Sequence, residues 1–206
     1  MRKLPFALVV AVVLFLAGCQ TSQPRPNHSQ DTAAQHGLAT LRQVVNAGNY
    51  ASLGFESEAE VRQATLGAPL QVYRVQLDAL RAFTENTDPE TLLVDIRRSL
   101  YPVKVGDRVA TAIFVTGSRE GWRASELGNA AVARLVSRYR HGEGDFVVHV
   151  AAMKSWFVAD RVEGKLVLTP VMDDPRTKLR AGETVPADVV FLQLKAASEG
   201  YNGLPQ

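Results

Sequence analysis

Cysteine is almost missing. One thiol, Cys19, stands in 206 residues, so no disulfide can close within the chain and no cysteine cluster can hold a metal. Histidine is also scarce, and His28, His36, His141 and His149 form no pair at ligand spacing on one helix face. No His-Glu-x-x-His, Gly-x-Ser-x-Gly, Gly-x-x-x-x-Gly-Lys-Ser/Thr or Gly-x-Gly-x-x-Gly occurs. Those absences remove the sequence anchors for zinc hydrolysis, serine hydrolysis, P-loop chemistry and dinucleotide binding. No metal site and no cofactor is implied, and the expectation is of a protein that is not a conventional enzyme.

An excess of charge is lacking too. The chain carries 23 Lys and Arg against 21 Asp and Glu, and without Arg2 and Lys3 the two signs balance. A nucleic-acid binder built on bulk positive charge is therefore not expected, because phosphate neutralisation supplies most non-specific affinity for DNA and RNA.

Long apolar runs are limited to one, Leu4 to Leu16, uncharged and broken by Pro5, after the basic Met1-Arg2-Lys3. A bilayer-spanning helix needs about 20 apolar residues, so this shorter run has the pattern of an export signal and not of a span. It ends at Leu16-Ala17-Gly18-Cys19, which resembles the lipobox of bacterial lipoproteins. The resemblance implies that residues 1–18 are removed and that Cys19 becomes the lipid-bearing N-terminus with three acyl chains. It also implies a membrane partner reached through that lipid. The residue that follows, Gln20, is not the Asp that tends to retain such proteins at the inner membrane. The expected location is thus the outer membrane, with the domain facing the periplasm.

Residues 19–36 hold no large apolar side chain after the cysteine and read as a tether, which leaves residues 37–206 as one globular domain. From Asp31 the pattern is already changing, and Leu38, Leu41, Val44 and Val45 keep helical spacing up to Gly48-Asn49. Ser57 and Glu60 have the spacing of a capping box for a short helix carrying Val61 and Ala64. Tyr73, Val75 and Leu77 alternate as a strand. Asp88-Pro89 looks like a helix start with Leu92, Leu93 and Ile96 as its buried stripe.

Gly106-Asp107 separates two β-rich runs as a tight hairpin. Val109 to Val115 is apolar on both alternating sets, which predicts a strand covered on both faces. After Asn129 a helix is predicted, with Val132, Leu135, Val136 and Tyr139 on its buried stripe. Phe146, Val148 and Val150, then Trp156 to Val158, then Leu166 to Leu168 read as strands in antiparallel hairpins, the last turn being Glu163-Gly164-Lys165. A final helix after Pro186 would bury Val190, Phe191, Leu194 and Ala197, with a strand over Val189 to Leu194 as the alternative. The fold class predicted is α+β, a mostly antiparallel sheet packed with several helices in a single domain.

One feature rises above this background. Residues 97–140 carry nine basic and three acidic side chains, whereas the regions on either side are net acidic. Arg134, Arg138 and His141, at i, i+4 and i+7, are expected opposite the apolar stripe of their helix and form the candidate ligand-binding set. Aromatic residues Tyr73, Tyr101, Trp122, Trp156 and Phe157 either line a pocket or strengthen the core. The function expected is a membrane-anchored binding or interaction module of the cell envelope, its partner an acidic envelope protein, peptidoglycan or an anionic glycolipid. The alternative is an envelope hydrolase or transferase whose site has no familiar motif.

Overall fold

A computed structural model describes residues 29–200. The expected signal, the lipobox and Gln20 to His28 lie outside the described residues.

The described part opens with helix α1 (Gln30–Val44), whose first turn is capped by Ser29, the side-chain oxygen accepting the Thr32 N–H at 3.2 Å. Ala33 and Ala34 are buried on its inner face. The packed domain thus begins inside the segment expected as tether, because two small residues that look unremarkable in sequence let the helix lie close to the sheet. Gly37 makes the same point. A Cβ there would stand 2.8 Å from the Cγ2 of Ile113.

A loop leads to the short helix α2 (Glu60–Gln63). The capping box expected at Ser57 does not form. Glu60 instead reaches back to the Glu56 N–H at 2.8 Å and pairs with Arg108 at 2.6 Å. Strand β1 (Thr65–Leu66) and strand β2 (Leu70–Arg74) follow, then helix α3 (Leu77–Ala82). The strand expected through Leu77 stops short, since Leu77 already starts the helix. Asp88 does cap a helical turn, accepting the Glu90 N–H at 3.0 Å, but the turn is a single 3₁₀ segment, Pro89–Leu92. Strand β3 (Val94–Val105) takes over at once, and Ile96 belongs to it. The β-branched Val94 and Ile96 suit a strand better than a second helical turn.

Strand β4 (Arg108–Ser118) returns through the two-residue turn Gly106-Asp107, with Gly106 at φ 59°, and strand β5 (Gly121–Gly128) pairs with it. Helix α4 (Ala130–Tyr139) starts behind Asn129, whose φ of 61° lies in the left-handed region that asparagine tolerates best among residues with a side chain. Strands β6 (Phe146–Val150), β7 (Ser155–Val162) and β8 (Lys165–Pro170) form consecutive antiparallel pairs, and Glu163-Gly164 make the second tight turn, with both φ values positive. Strand β9 (Val185–Pro186) and helix α5 (Ala187–Ser198) complete the domain. The helical alternative is the one observed for Val189 to Leu194.

Together the strands form one nine-stranded sheet in the order β5-β4-β3-β2-β6-β7-β8-β9, with β1 also paired to β3. The architecture is α+β in a single domain. Every pairing is antiparallel except β2 with β6. Cross-strand register assigns the two faces. On one face α1 covers Tyr101, Val103, Ile113 and Val115, while α3 and α5 cover Val148, Val150, Phe157 and Leu168. On the opposite face α4 packs Val132, Ala133 and Val136 against Leu70, Val72, Leu100 and Phe114. Strand β4 is therefore covered on both sides, and Ala112, Ile113, Phe114 and Val115 are inaccessible to solvent. Among the described residues no helix is long and apolar enough to cross a membrane.

Candidate functional site

Helix α4 is only ten residues long and cannot cover a sheet of this width. It lies over β3, β4 and β7, and the side chains it leaves uncovered on that face form the most distinctive surface of the domain. Their placement follows from register. Arg98 on β3 stands beside Val72 on β2 and Thr116 on β4, so it shares the α4 side. One step further along, Arg74 on β2 stands beside His149 on β6, which stands opposite Trp156 on β7. Arg123 on β5 lies opposite Thr116 and joins the same face.

Each of these side chains is held differently. His149 lies flat on Trp156, ring centroids 3.8 Å apart and planes 13° from parallel. Trp156 in turn meets Phe114 at 6.3 Å in a tilted contact. The guanidinium of Arg98 sits over the Phe114 ring at 4.1 Å and pairs with Glu126 on β5. Its Nε is buried with no acceptor, consistent with an N–H facing the ring below it. Arg74 and Arg123 are exposed. Neither has an ion-pair partner among the described residues.

Burial, and then the charges of Arg74 and Arg98, push the His149 pKa down from an ordinary 6.5 to about 4. The ring is consequently neutral at physiological pH, with one nitrogen donating and the other accepting. A neutral imidazole in the field of two guanidiniums is a polar, unsaturated arrangement, with more donors than acceptors, in an environment that rewards an incoming anion.

Trp156 also lines a cavity of about 310 Å³ between β7 and the loop after β8, together with Lys154, Met172, Pro175 and Arg176. The loop is braced from within. Arg176 grips Asp174 through Nε and Nη2, both at 2.8 Å, and donates to the Met153 carbonyl at 2.7 Å. Ser155 adds a hydroxyl to Asp174 at 3.3 Å, and Asp173 accepts the Ala181 N–H at 2.8 Å. The Asp174 pKa is lowered overall, burial raising it but being outweighed by these hydrogen bonds and the Arg176 charge. The two carboxylates of Asp173 and Asp174 are thus spent on the loop itself.

The residues singled out in sequence are only partly brought together. Arg134 and Arg138 are exposed on α4, one turn apart, and Arg134 Nε donates to the Ala130 carbonyl at 3.2 Å. His141 is not on that helix. The helix ends at Tyr139, and Asp145 gathers the N–H groups of His141 and Gly142 at 2.6 and 3.1 Å, which turns the chain away before another helical turn can form. The aromatic set does not converge either. Tyr101 and Phe157 are core residues, Tyr73 packs edge-on against Phe146, and Trp122 lies on the α1 side under Arg97.

Sequence reasoning missed Arg74, Arg98 and the His149–Trp156 stack as a unit. The only local sign was that His149 interrupts an apolar strand on the side opposite Phe146. Among the described residues no group of three or more His, Cys, Asp and Glu side chains is arranged to hold a metal ion. Comparison with protein-family models, curated proteins and solved structures finds no match to this chain.

Proposed function

We propose that the protein is a lipid-anchored binding module of the bacterial cell envelope, held to the outer membrane through Cys19 and using the α4 side of its sheet to take an acidic partner. The observation that carries the binding reading is the distribution of cations. Arg74, Arg98 and Arg123 on the sheet and Arg134 and Arg138 on α4 all belong to one side of the molecule, and among the described residues only Arg98 of these five has a carboxylate partner, Glu126. A neutral protein that gathers unpaired guanidiniums on one face presents a local field that its total charge conceals. Guanidiniums engage carboxylate and phosphate oxygens through two parallel N–H bonds, so acidic protein, peptidoglycan and anionic glycolipid share the required chemistry. The anchoring reading is supported by Leu16-Ala17-Gly18-Cys19.

The test is binding of the purified chain to peptidoglycan, to anionic glycolipid and to acidic envelope proteins over a range of salt. Replacing Arg134 and Arg138 by Ser is expected to weaken binding and flatten its salt dependence without moving the thermal melt, because both side chains are exposed. Affinity and salt slope unchanged in that variant, with the melt also unchanged, would remove α4 from the binding face.

A further inference from the structure

We infer that the uncovered end of the α4 side is a binding site for a phosphomonoester group, taken between the guanidiniums of Arg74 and Arg98 against the edge of the His149 imidazole. This deepens the reading of that side as the binding face and rests on it for the sign of the ligand's charge. Three observations on separate strands support it.

The first is fixation. Stacking on Trp156 at 3.8 Å sets the plane of the His149 ring, and packing on Phe114 together with the Glu126 ion pair sets the plane of Arg98. Two recognition groups are thus oriented before any ligand arrives, which lowers the ordering cost of binding.

The second is unused capacity. Among the described residues neither imidazole nitrogen of His149 has a hydrogen-bond partner, and neither is sealed from solvent. Arg98 spends Nη2 on Glu126 and has Nη1 unassigned, while Arg74 has its whole fork unassigned. Arg74 and His149 are direct neighbours on the parallel strands β2 and β6, a spacing of about 4.8 Å between strands, so one anion can touch both.

The third is the kind of donor set. A carboxylate offers acceptors alone, and one guanidinium fork already satisfies its two oxygens. A phosphomonoester has three free oxygens, one of them protonated in its monoanion. Such a group answers two guanidiniums and a neutral imidazole at once, accepting from the arginines while its P–OH donates to, or its P–O⁻ accepts from, the ring.

The experiment titrates the full chain with inorganic phosphate, glucose 6-phosphate, glucose, and phosphatidylcholine vesicles with and without phosphatidic acid. Two signals are followed: the imidazole resonances of His149, identified with His149→Gln, and tryptophan fluorescence in a Trp122→Phe background where Trp156 alone emits. Saturable perturbation of both by inorganic phosphate and by a phosphate ester, but not by glucose, is expected. Arg74→Ser should weaken it by roughly five-fold or more with the melt unchanged, since a charged hydrogen bond is worth more than about 1 kcal/mol.

A response to phosphatidic acid vesicles that Arg74→Ser abolishes assigns the phosphate to a lipid headgroup, and a response to glucose 6-phosphate alone assigns it to a soluble ester. Absence of saturable perturbation by every phosphate probe overturns the site, as does unchanged affinity in Arg74→Ser. The Arg134→Ser/Arg138→Ser variant separates the two readings. If it loses acidic partners while Arg74→Ser has no effect on phosphate, the site falls and the wider binding face stands. If Arg74→Ser loses phosphate while acidic partners ignore every variant, the site stands and the wider reading falls.

Discussion

Replacing His149 by Phe should change how the domain responds to acid. In the folded protein the imidazole takes its proton near pH 4, whereas in the unfolded chain it does so near its ordinary 6.5. Between those values the unfolded state binds more protons, so stability is lost as pH falls from 6.5 to 4 and no further loss comes from this group below that. A gap of two to three pH units corresponds to about 3 kcal/mol as a ceiling at about 1.4 kcal/mol per unit. The ring is half-buried, and solvent screening of its interactions with Arg74 and Arg98 reduces the expected contribution to about 1–2 kcal/mol.

Phenylalanine keeps a flat ring against Trp156 and removes the titration. Denaturant midpoints for both proteins at pH 7 and pH 4, converted with their own slopes, give the double difference that isolates the histidine. This subtraction is necessary because Glu60, Glu90 and Asp174, whose pKa values are lowered by their arginine partners, also destabilise the fold in acid. The variant is expected to lose about 1–2 kcal/mol less than the parent between the two pH values. Equal losses in both proteins would refute the buried, neutral histidine and the charge environment assigned to it.

Three other outcomes are expected. Phe114→Ala removes a ring that supports Arg98 and meets Trp156, and should cost about 3–5 kcal/mol in a denaturant melt, while Phe114→Asp should leave little folded protein because its charge would be buried without a partner. Arg176→Ala, which loses the clamp on Asp174 and on the Met153 carbonyl, should make residues 171–182 cleavable by dilute protease while the core amides of β4 exchange as slowly as before. Cys19→Ser should leave an unprocessed precursor on mass spectrometry of the envelope fraction, and a mature lipid-free chain beginning elsewhere would refute the lipobox assignment.

The parts of the fold legible in the sequence are those decided within a dozen residues. Gly106-Asp107 and Glu163-Gly164 mark their turns because few residues accept the required φ, and α4 and α5 show their apolar stripes directly. Val109 to Val115 announced burial on both faces, and the helices α1 and α4 are what bury it. Competition between local and distant preferences was not legible. Asp88-Pro89 is a sound helix start, yet pairing with β2 draws Val94 and Asp95 into β3 after one turn, and Ile96 follows in the same strand. The site suffered most from this. Arg74, Arg98 and His149 sit on three strands, and their meeting depends on the parallel pairing of β2 with β6, for which the sequence has no local signal. Arg134 and Arg138 were found on the expected exposed face, while the position of His141 turned on Asp145, a carboxylate that reads in sequence as one more solvated charge.

That parallel pair has a mechanical meaning. The sheet consists of two sets of antiparallel strands, β5-β4-β3-β2 and β6-β7-β8-β9, stitched along the line where Val72, Tyr73 and Arg74 meet Val147, Val148 and His149. Each set is laced by turns between strands near in sequence and can assemble early, whereas the stitch joins positions 75 residues apart and carries a closure entropy of roughly 4 kcal/mol for a free loop of that length. Helix α4 lies across it like a buckle, touching β3 and β4 on one side and β7 on the other. A pull applied through the N-terminal end loads the β5-β4-β3-β2 half first, through α1, so this seam and its buckle are where the domain would part under tension, and the arginine–histidine cluster lies directly on the line of rupture.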